Sequence, residues 1–186
     1  MTSMMKQLIL TIVLMAAIGY ISPAVAQTEN VGILSDIQSV ADKQALKELV
    51  DKFSILADRK DAQAQTELFT NDAVVESYLD GKLISSLKGR EEIGAAFADF
   101  LVRFDTVYHI NGQQVVSIND DKATGIAYCQ VVLIGTDKNG KRMMTMQGVS
   151  YDDEYLCSNG RWLIAKRTSH FVWSDNREIK QQTLEQ

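Results

Sequence analysis

The chain has 186 residues, 46% of them hydrophobic, a formal net charge of −5 and two cysteines. That length suits one domain with one core. An acidic chain without a basic cluster excludes nucleic acid and anionic membrane surfaces as the expected partners, which leaves a small molecule or a protein.

The N-terminus reads as a targeting segment. Lys6 is the only charge before Glu29, the apolar stretch Leu8 to Ile21 follows it, and Ala24-Val25-Ala26 supplies a small-residue cleavage site. Residues 1–26 are therefore expected to be a signal peptide, and the mature protein periplasmic or secreted. The apolar run is shorter than the ~20 residues of a spanning helix, so no membrane anchor is expected after cleavage. Residues 27–38 are small and polar with little periodicity and read as a flexible leader.

Ser39 is the expected cap of the first helix, with Asp42 three residues on. Leu46, Leu49, Val50, Phe53, Leu56 and Ala57 then recur at three- and four-residue spacing, one apolar helical face, with Asp58 at its flank. A second short helix fits Asp61 to Phe69, capped by Asp61. Short β segments follow at Ala73 to Tyr78 and Lys82 to Leu87, joined by the hairpin signal Asp80-Gly81. Gly89-Arg90-Glu91-Glu92 opens a third helix, in which Ile93, Ala96, Phe97, Phe100, Leu101 and Phe104 keep helical period.

The remainder is strand. Thr106 to Ile118, Ala123 to Thr136, Arg142 to Leu156 and Trp162 to Trp173 are separated by turn signals at Asn119-Asp120-Asp121, Asp137 to Gly140 and Ser158-Asn159-Gly160. Such runs form an antiparallel meander, and long twisted strands curl around whatever packs on their concave side. Helices first and a meander last make an α+β fold. The domain is expected over 39–175, with 176–186 as a C-terminal tail. Cys129 and Cys157 fall too far apart along one hairpin, more than ~20 Å at ~3.4 Å per residue, to form a disulfide.

Asp58, His109 and Arg167 stand out as polar residues in apolar runs. A carboxylate, an imidazole and a guanidinium are groups that move protons and stabilise an oxyanion. Each also has a plain structural reading: a solvated helix end, a packed strand histidine, and an arginine whose stem covers apolar surface. Strand parity groups His109 with Val107 and Asn111, and Arg167 with Leu163, Ala165, Ser169, Phe171 and Trp173. His170 reads as a surface residue, and Met143, Met144 and Met146 as packing. The spacing of His, Cys, Asp and Glu matches no zinc or calcium site, and there is no glycine-rich phosphate loop, so neither metal nor cofactor is expected.

The order Phe53-x4-Asp58, Leu68-Phe69-x2-Asp72-Ala73, Lys88-Gly89-Arg90-Glu91-Glu92-Ile93, His109-x-Asn111, Tyr151-x-Asp153 and Gly160-Arg161-Trp162-x4-Arg167 resembles the SnoaL-like branch of the nuclear transport factor 2-like superfamily, over residues 40 to 173. The resemblance implies a cone: a strongly bent antiparallel sheet around a hydrophobic pocket, closed by N-terminal helices and commonly dimeric through the sheet. Relatives include scytalone dehydratase, bile acid dehydratase and ketosteroid isomerase, alongside non-catalytic binding domains, so fold alone does not assign a reaction.

Carried onto this chain, the resemblance makes Asp58, His109 and Arg167 the catalytic candidates, with Phe53, Tyr128, Gln130, Tyr151 and Trp173 around an apolar ligand. The dehydratase-type members carry tyrosine where Phe53 stands and a strand acid where Gln130 or Val132 stands. Tyr128 and Tyr151 are the candidates to replace that phenol. The expected activity is dehydration or isomerisation of a small apolar, cyclic carbonyl compound; the alternative is a lipid- or metabolite-binding domain of the same fold.

Overall fold

The computed structural model describes residues 23–180, so all but the last residues of the expected signal peptide lie outside the described part. The chain divides into two compact units, Met1–Val40 and Ala41–Gln186, and everything that positions the site belongs to the second. No helix among the described residues is long and apolar enough to cross a membrane.

Helix α1 spans Pro23–Asp58. It starts well upstream of the expected cap at Ser39, and residues 27–38 are helical rather than irregular. No proline interrupts the chain after Pro23 up to Asp58, and Gly32 is the only strong helix-weakening residue in that stretch. All six residues of the expected apolar face, Leu46 to Ala57, are buried. The helix ends in a Schellman turn: Lys60 takes a left-handed φ of 58°, its N–H donates to the Ala57 carbonyl at 2.9 Å and that of Asp61 to Leu56 at 2.9 Å. Asp58 therefore occupies the last helical turn, where carbonyls converge and a carboxylate is disfavoured.

Helix α2 is shorter than expected, Ala62–Thr66, with Asp61 capping Ala64 N. Phe69 already belongs to strand β1, Phe69–Leu79. Strand β2 (Lys82–Lys88), helix α3 (Arg90–Leu101) and strands β3 (Thr106–Asn119), β4 (Lys122–Thr136), β5 (Arg142–Ser158) and β6 (Arg161–Glu178) complete the chain. Strand β6 takes in Asn176 to Glu178, the start of the expected tail.

The six strands form one curved, unclosed sheet in the order β2-β1-β6-β5-β4-β3. The β3–β6 meander is antiparallel throughout, and β1 adds to it in parallel alongside β6. In a flat sheet the five steps from β3 to β2 would separate them by ~24 Å, and curvature lets residues of both, His109 and Ser85 among them, line one cavity. Bulges provide part of the bend. Ala165 is an extra residue in β6, since Lys166 pairs with Glu154 while Ile164 pairs with Tyr155. Val172 is a second extra residue in β6, and Gly112-Gln113 carry one in β3.

Each bulge reverses which residues face inward. The parity expected for β6 therefore fails at both ends. Upstream of Ala165 it is Trp162 and Ile164 that are buried, rather than Leu163; downstream, Arg167 and Ser169 face in. Both cysteines are free, paired across the ladder with Val149 and Trp162 respectively.

Candidate active site

The concave face of the sheet, α1 and α3 enclose a cavity of about 340 Å³. Its walls are chiefly apolar, with Phe53, Phe97, Val131, Leu133 and Val149 among them, and a few polar side chains reach it, including His109 and Arg167.

His109 enters from β3, opposite Val131. Its Nδ1 lies 2.6 Å from Asp58 Oδ1, and its backbone N–H donates to Asp58 Oδ2 at 3.4 Å. An ionised carboxylate only accepts hydrogen bonds, so Nδ1 carries the proton and Nε2 keeps a free lone pair. Burial is the main influence on the imidazole and lowers its pKa below the ordinary 6.5. The Asp58 carboxylate pulls the other way, and the Arg167 cation adds to the lowering. The result is a neutral base at pH 7. These contacts also account for Asp58 at an unfavourable helix end: the hydrogen bonds to β3 offset a dipole cost of ~0.3–1 kcal/mol.

Neighbouring contacts fix the strand on the helix. Asn111, two residues along the same face as His109, accepts from Ser54 Oγ at 2.9 Å and donates to Asp51 Oδ1 at 3.0 Å and the Val50 carbonyl at 3.3 Å. Three successive turns of α1 are thereby pinned to β3, and the Asp58–His109 distance follows from that registry. Asn111 appeared in the sequence motif, but nothing local in the sequence marks it as the clasp.

Arg167 reaches the same cavity in a different condition from the one expected. Its Nε and Nη2 donate to Asp153 Oδ1 and Oδ2 at 2.8 and 2.7 Å, and both side chains are 1% exposed. The guanidinium carbon lies 4.3 Å from the ring centroids of both Phe53 and Tyr151, a two-sided cation–π stack. Burial opposes the charge, yet the Asp153 carboxylate more than offsets it and holds the guanidinium pKa above its usual value. Arg167 is thus a neutralised, clamped cation, with Nη1 alone lacking a partner. Tyr155 adds a third member, donating to Asp153 Oδ2 at 2.8 Å.

Of the expected ligand-lining residues, Phe53 and Tyr151 line the cavity. Tyr128, Gln130 and Trp173 do not. Tyr128 and Gln130 alternate with the inward residues Cys129 and Val131, and so occupy the outer face of β4; Tyr128 is 53% exposed and Gln130 donates to Met146 Sδ. Trp173 is turned outward by the bulge at Val172, and its indole covers Gly148, where any Cβ would fall 2.0 Å from Nε1. Tyr151 is the phenol within reach of the cavity, but its hydroxyl is held protonated by burial, with pKa pushed up. Burial likewise pushes the Cys129 thiol up to about 11. His170 is on the surface as expected, 3.1 Å from Asp152.

The sequence reading missed Asp153 as the partner of Arg167, although Tyr151-x-Asp153-x-Tyr155 holds a signal: an acid alternating with aromatics on one strand face needs a buried cation. Also missed are Gln65, Ser77, Ser85, Gln147 and Ser169, which put polar atoms on the cavity wall. Among the described residues no group of three or more His, Cys, Asp or Glu is placed to hold a metal ion.

Solved structures share this architecture. A putative scytalone dehydratase from Novosphingobium aromaticivorans matches with a TM-score of 0.66 and 15% identity, covering 76% of this chain and 91% of its own. A type 2 hexachlorocyclohexane dehydrochlorinase matches at 0.65 and 18% identity, covering 81% of this chain and 99% of its own. An ntf2-like protein with a cystatin-like fold, also from N. aromaticivorans, matches at 0.57 and 19% identity, covering 83% of this chain and 92% of its own. These likenesses establish the fold. No curated protein matches by sequence. The profile of the SnoaL-like domain matches residues 38–168, a span that includes all three of Asp58, His109 and Arg167, and the chain belongs to that family.

Proposed function

We propose that the protein is an acid-base enzyme of the lyase type, acting on a small, largely apolar molecule with an acidic C–H beside a leaving group or carbonyl. The observation that carries this reading is the 2.6 Å contact between His109 Nδ1 and Asp58 in a cavity of about 340 Å³. Nε2 takes the C–H proton, the released electron pair forms a carbon–carbon double bond, and the bond to the leaving oxygen or halide breaks. When hydroxide leaves, His109 Nε2 returns the proton and water departs. Asp58 holds the tautomer and stabilises the imidazolium that exists between the two transfers. Arg167 Nη1 supplies a donor for charge developing on the substrate.

The structural neighbours named a dehydratase and a dehydrochlorinase support the same class, since both names describe elimination. Isomerisation uses the same first step and returns the proton to carbon. We further propose that the chain is exported and pairs with a second copy through the outer sheet face, where Tyr108, Ile110, Val115, Ile126 and Tyr128 stand exposed.

The test is turnover on a substrate found by screening cyclic hydroxyketones and halogenated rings. His109→Ala and Asp58→Asn should each lower kcat by ~10²-fold or more, the usual contribution of a positioned general base. Unchanged turnover in His109→Ala would sink the mechanism. Ligand binding without turnover by the wild type would identify a binding domain.

A further inference from the structure

Three serines face the cavity where apolar residues would pack better. Ser77 of β1 pairs with Ser85 of β2 on one side and with Ser169 of β6 on the other. All three line the cavity, in one row across three strands. No described residue hydrogen-bonds to any of these hydroxyls; Ser77 and Ser85 are half-buried and Ser169 is 7% exposed, so all three are open to a ligand in the cavity.

The row ends beside a buried donor that has no partner. Arg167, two residues before Ser169 on the same strand face, is 1% exposed and its Nη1 has no partner. Val75 of β1 and Leu87 of β2 are aliphatic residues of the same wall. The rest of the wall is apolar enough to hold a hydrocarbon body.

We infer that the Ser85–Ser77–Ser169 row is the recognition edge for a substrate bearing two oxygen functions on one side of its ring. This rests on the cavity's being the substrate site. Neighbouring positions on paired strands lie ~5 Å apart, so one oxygen seats between each pair of serines at ~2.8 Å from both. Three serines make two such seats, ~5 Å apart. Oxygens on carbons 1 and 3 of a six-membered ring have that separation. Because each hydroxyl both donates and accepts, the row takes carbonyl and hydroxyl oxygens alike. Ser77 belongs to both seats and is the specificity-determining residue.

The probes are 5-propylbenzene-1,3-diol and its one-oxygen counterpart 3-propylphenol, titrated calorimetrically into the full mature chain. The wild type is expected to bind the diol ~10-fold tighter, roughly one neutral hydrogen bond or somewhat more. Ser77 takes part in both seats, so Ser77→Ala should weaken both probes, the diol more than 3-propylphenol, and so shrink the preference, while Ser77→Thr, which keeps the hydroxyl, should retain it. Thermal unfolding of each variant confirms that the fold persists. Equal affinities in the wild type, absence of binding by both probes, or a diol preference undiminished by Ser77→Ala overturns the inference. Any of these leaves the Asp58–His109 reading standing, because that reading is decided by turnover, of the wild type and of His109→Ala.

Discussion

Deleting the Asp153 carboxylate tests how the interior is built. Arg167 and Asp153 form a bidentate pair at 2.7–2.8 Å with both side chains 1% exposed. Lys47 and Asp51 form a pair of similar length, 2.6 Å, but 41% and 37% exposed. Distance is therefore held nearly constant while burial changes. The exposed pair should contribute no more than ~0.5 kcal/mol, since water screens it and the side chains lose rotamer freedom in making it. Asp153→Ala instead leaves a guanidinium buried with no counter-charge and a Tyr155 hydroxyl with no acceptor, at a cost of ~3–5 kcal/mol. That is a large share of the ~5–15 kcal/mol that stabilises a typical domain, and corresponds to a Tm lower by roughly 6–20 °C. Urea unfolding followed by tryptophan fluorescence measures it, with Lys47→Ala as the exposed comparison. The combined Asp153→Leu, Arg167→Met and Tyr155→Phe variant removes every orphaned polar group and should recover most of the loss. A cost of less than ~1 kcal/mol for Asp153→Ala, or a combined variant no more stable than the single one, would mean that burial does not set the strength of this pair.

Stability should also depend on pH through His109. Its folded pKa lies below 6.5, so on acidification the unfolded chain binds this proton first; the contribution is full above pH ~6.5 and is lost as pH falls from there towards the folded value, with a slope of up to ~1.36 kcal/mol per pH unit. His109→Asn should remove that part of the slope in unfolding measured from pH 7.5 to 5. On the outer face, Tyr128→Glu places a charge in the exposed apolar cluster and should shift the protein from dimer to monomer in light scattering, without altering the cavity. A wild type that is monomeric at 100 µM, a concentration of about 10⁻⁴ M against the Kd scale of specific dimers, would refute pairing through this face.

Local chemistry carried much of the fold. The apolar spacing from Leu46 to Ala57 announced a buried helix face, and the two-residue turns at Asp80-Gly81 and Asn159-Gly160 adopt the positive φ angles that such pairs favour, 49° and 72°, then 53° and 74°. His109, Val107 and Asn111 were grouped correctly because β3 carries no bulge before Gly112. These features depend on residues within a few positions of one another, so they can be read from the chain alone.

What the sequence could not settle is which residues the bulges turn inward and which distant groups meet. The extra residues at Ala165 and Val172 put Trp162 in the core and Trp173 outside, against simple alternation, because a bulge is chosen by the bend that the whole sheet must make around its helices. The pairing of Arg167 with Asp153 arises only when β5 and β6 lie side by side, and the serine row only when β1 adds in parallel to β6. Asp58 and His109 were visible in the sequence as unusual residues; their 2.6 Å contact depends on Asn111 and Ser54 holding helix and strand in register. Helix faces and turns follow from short-range sterics and hydrophobic period, whereas the site follows from curvature and registry, which the tertiary packing decides.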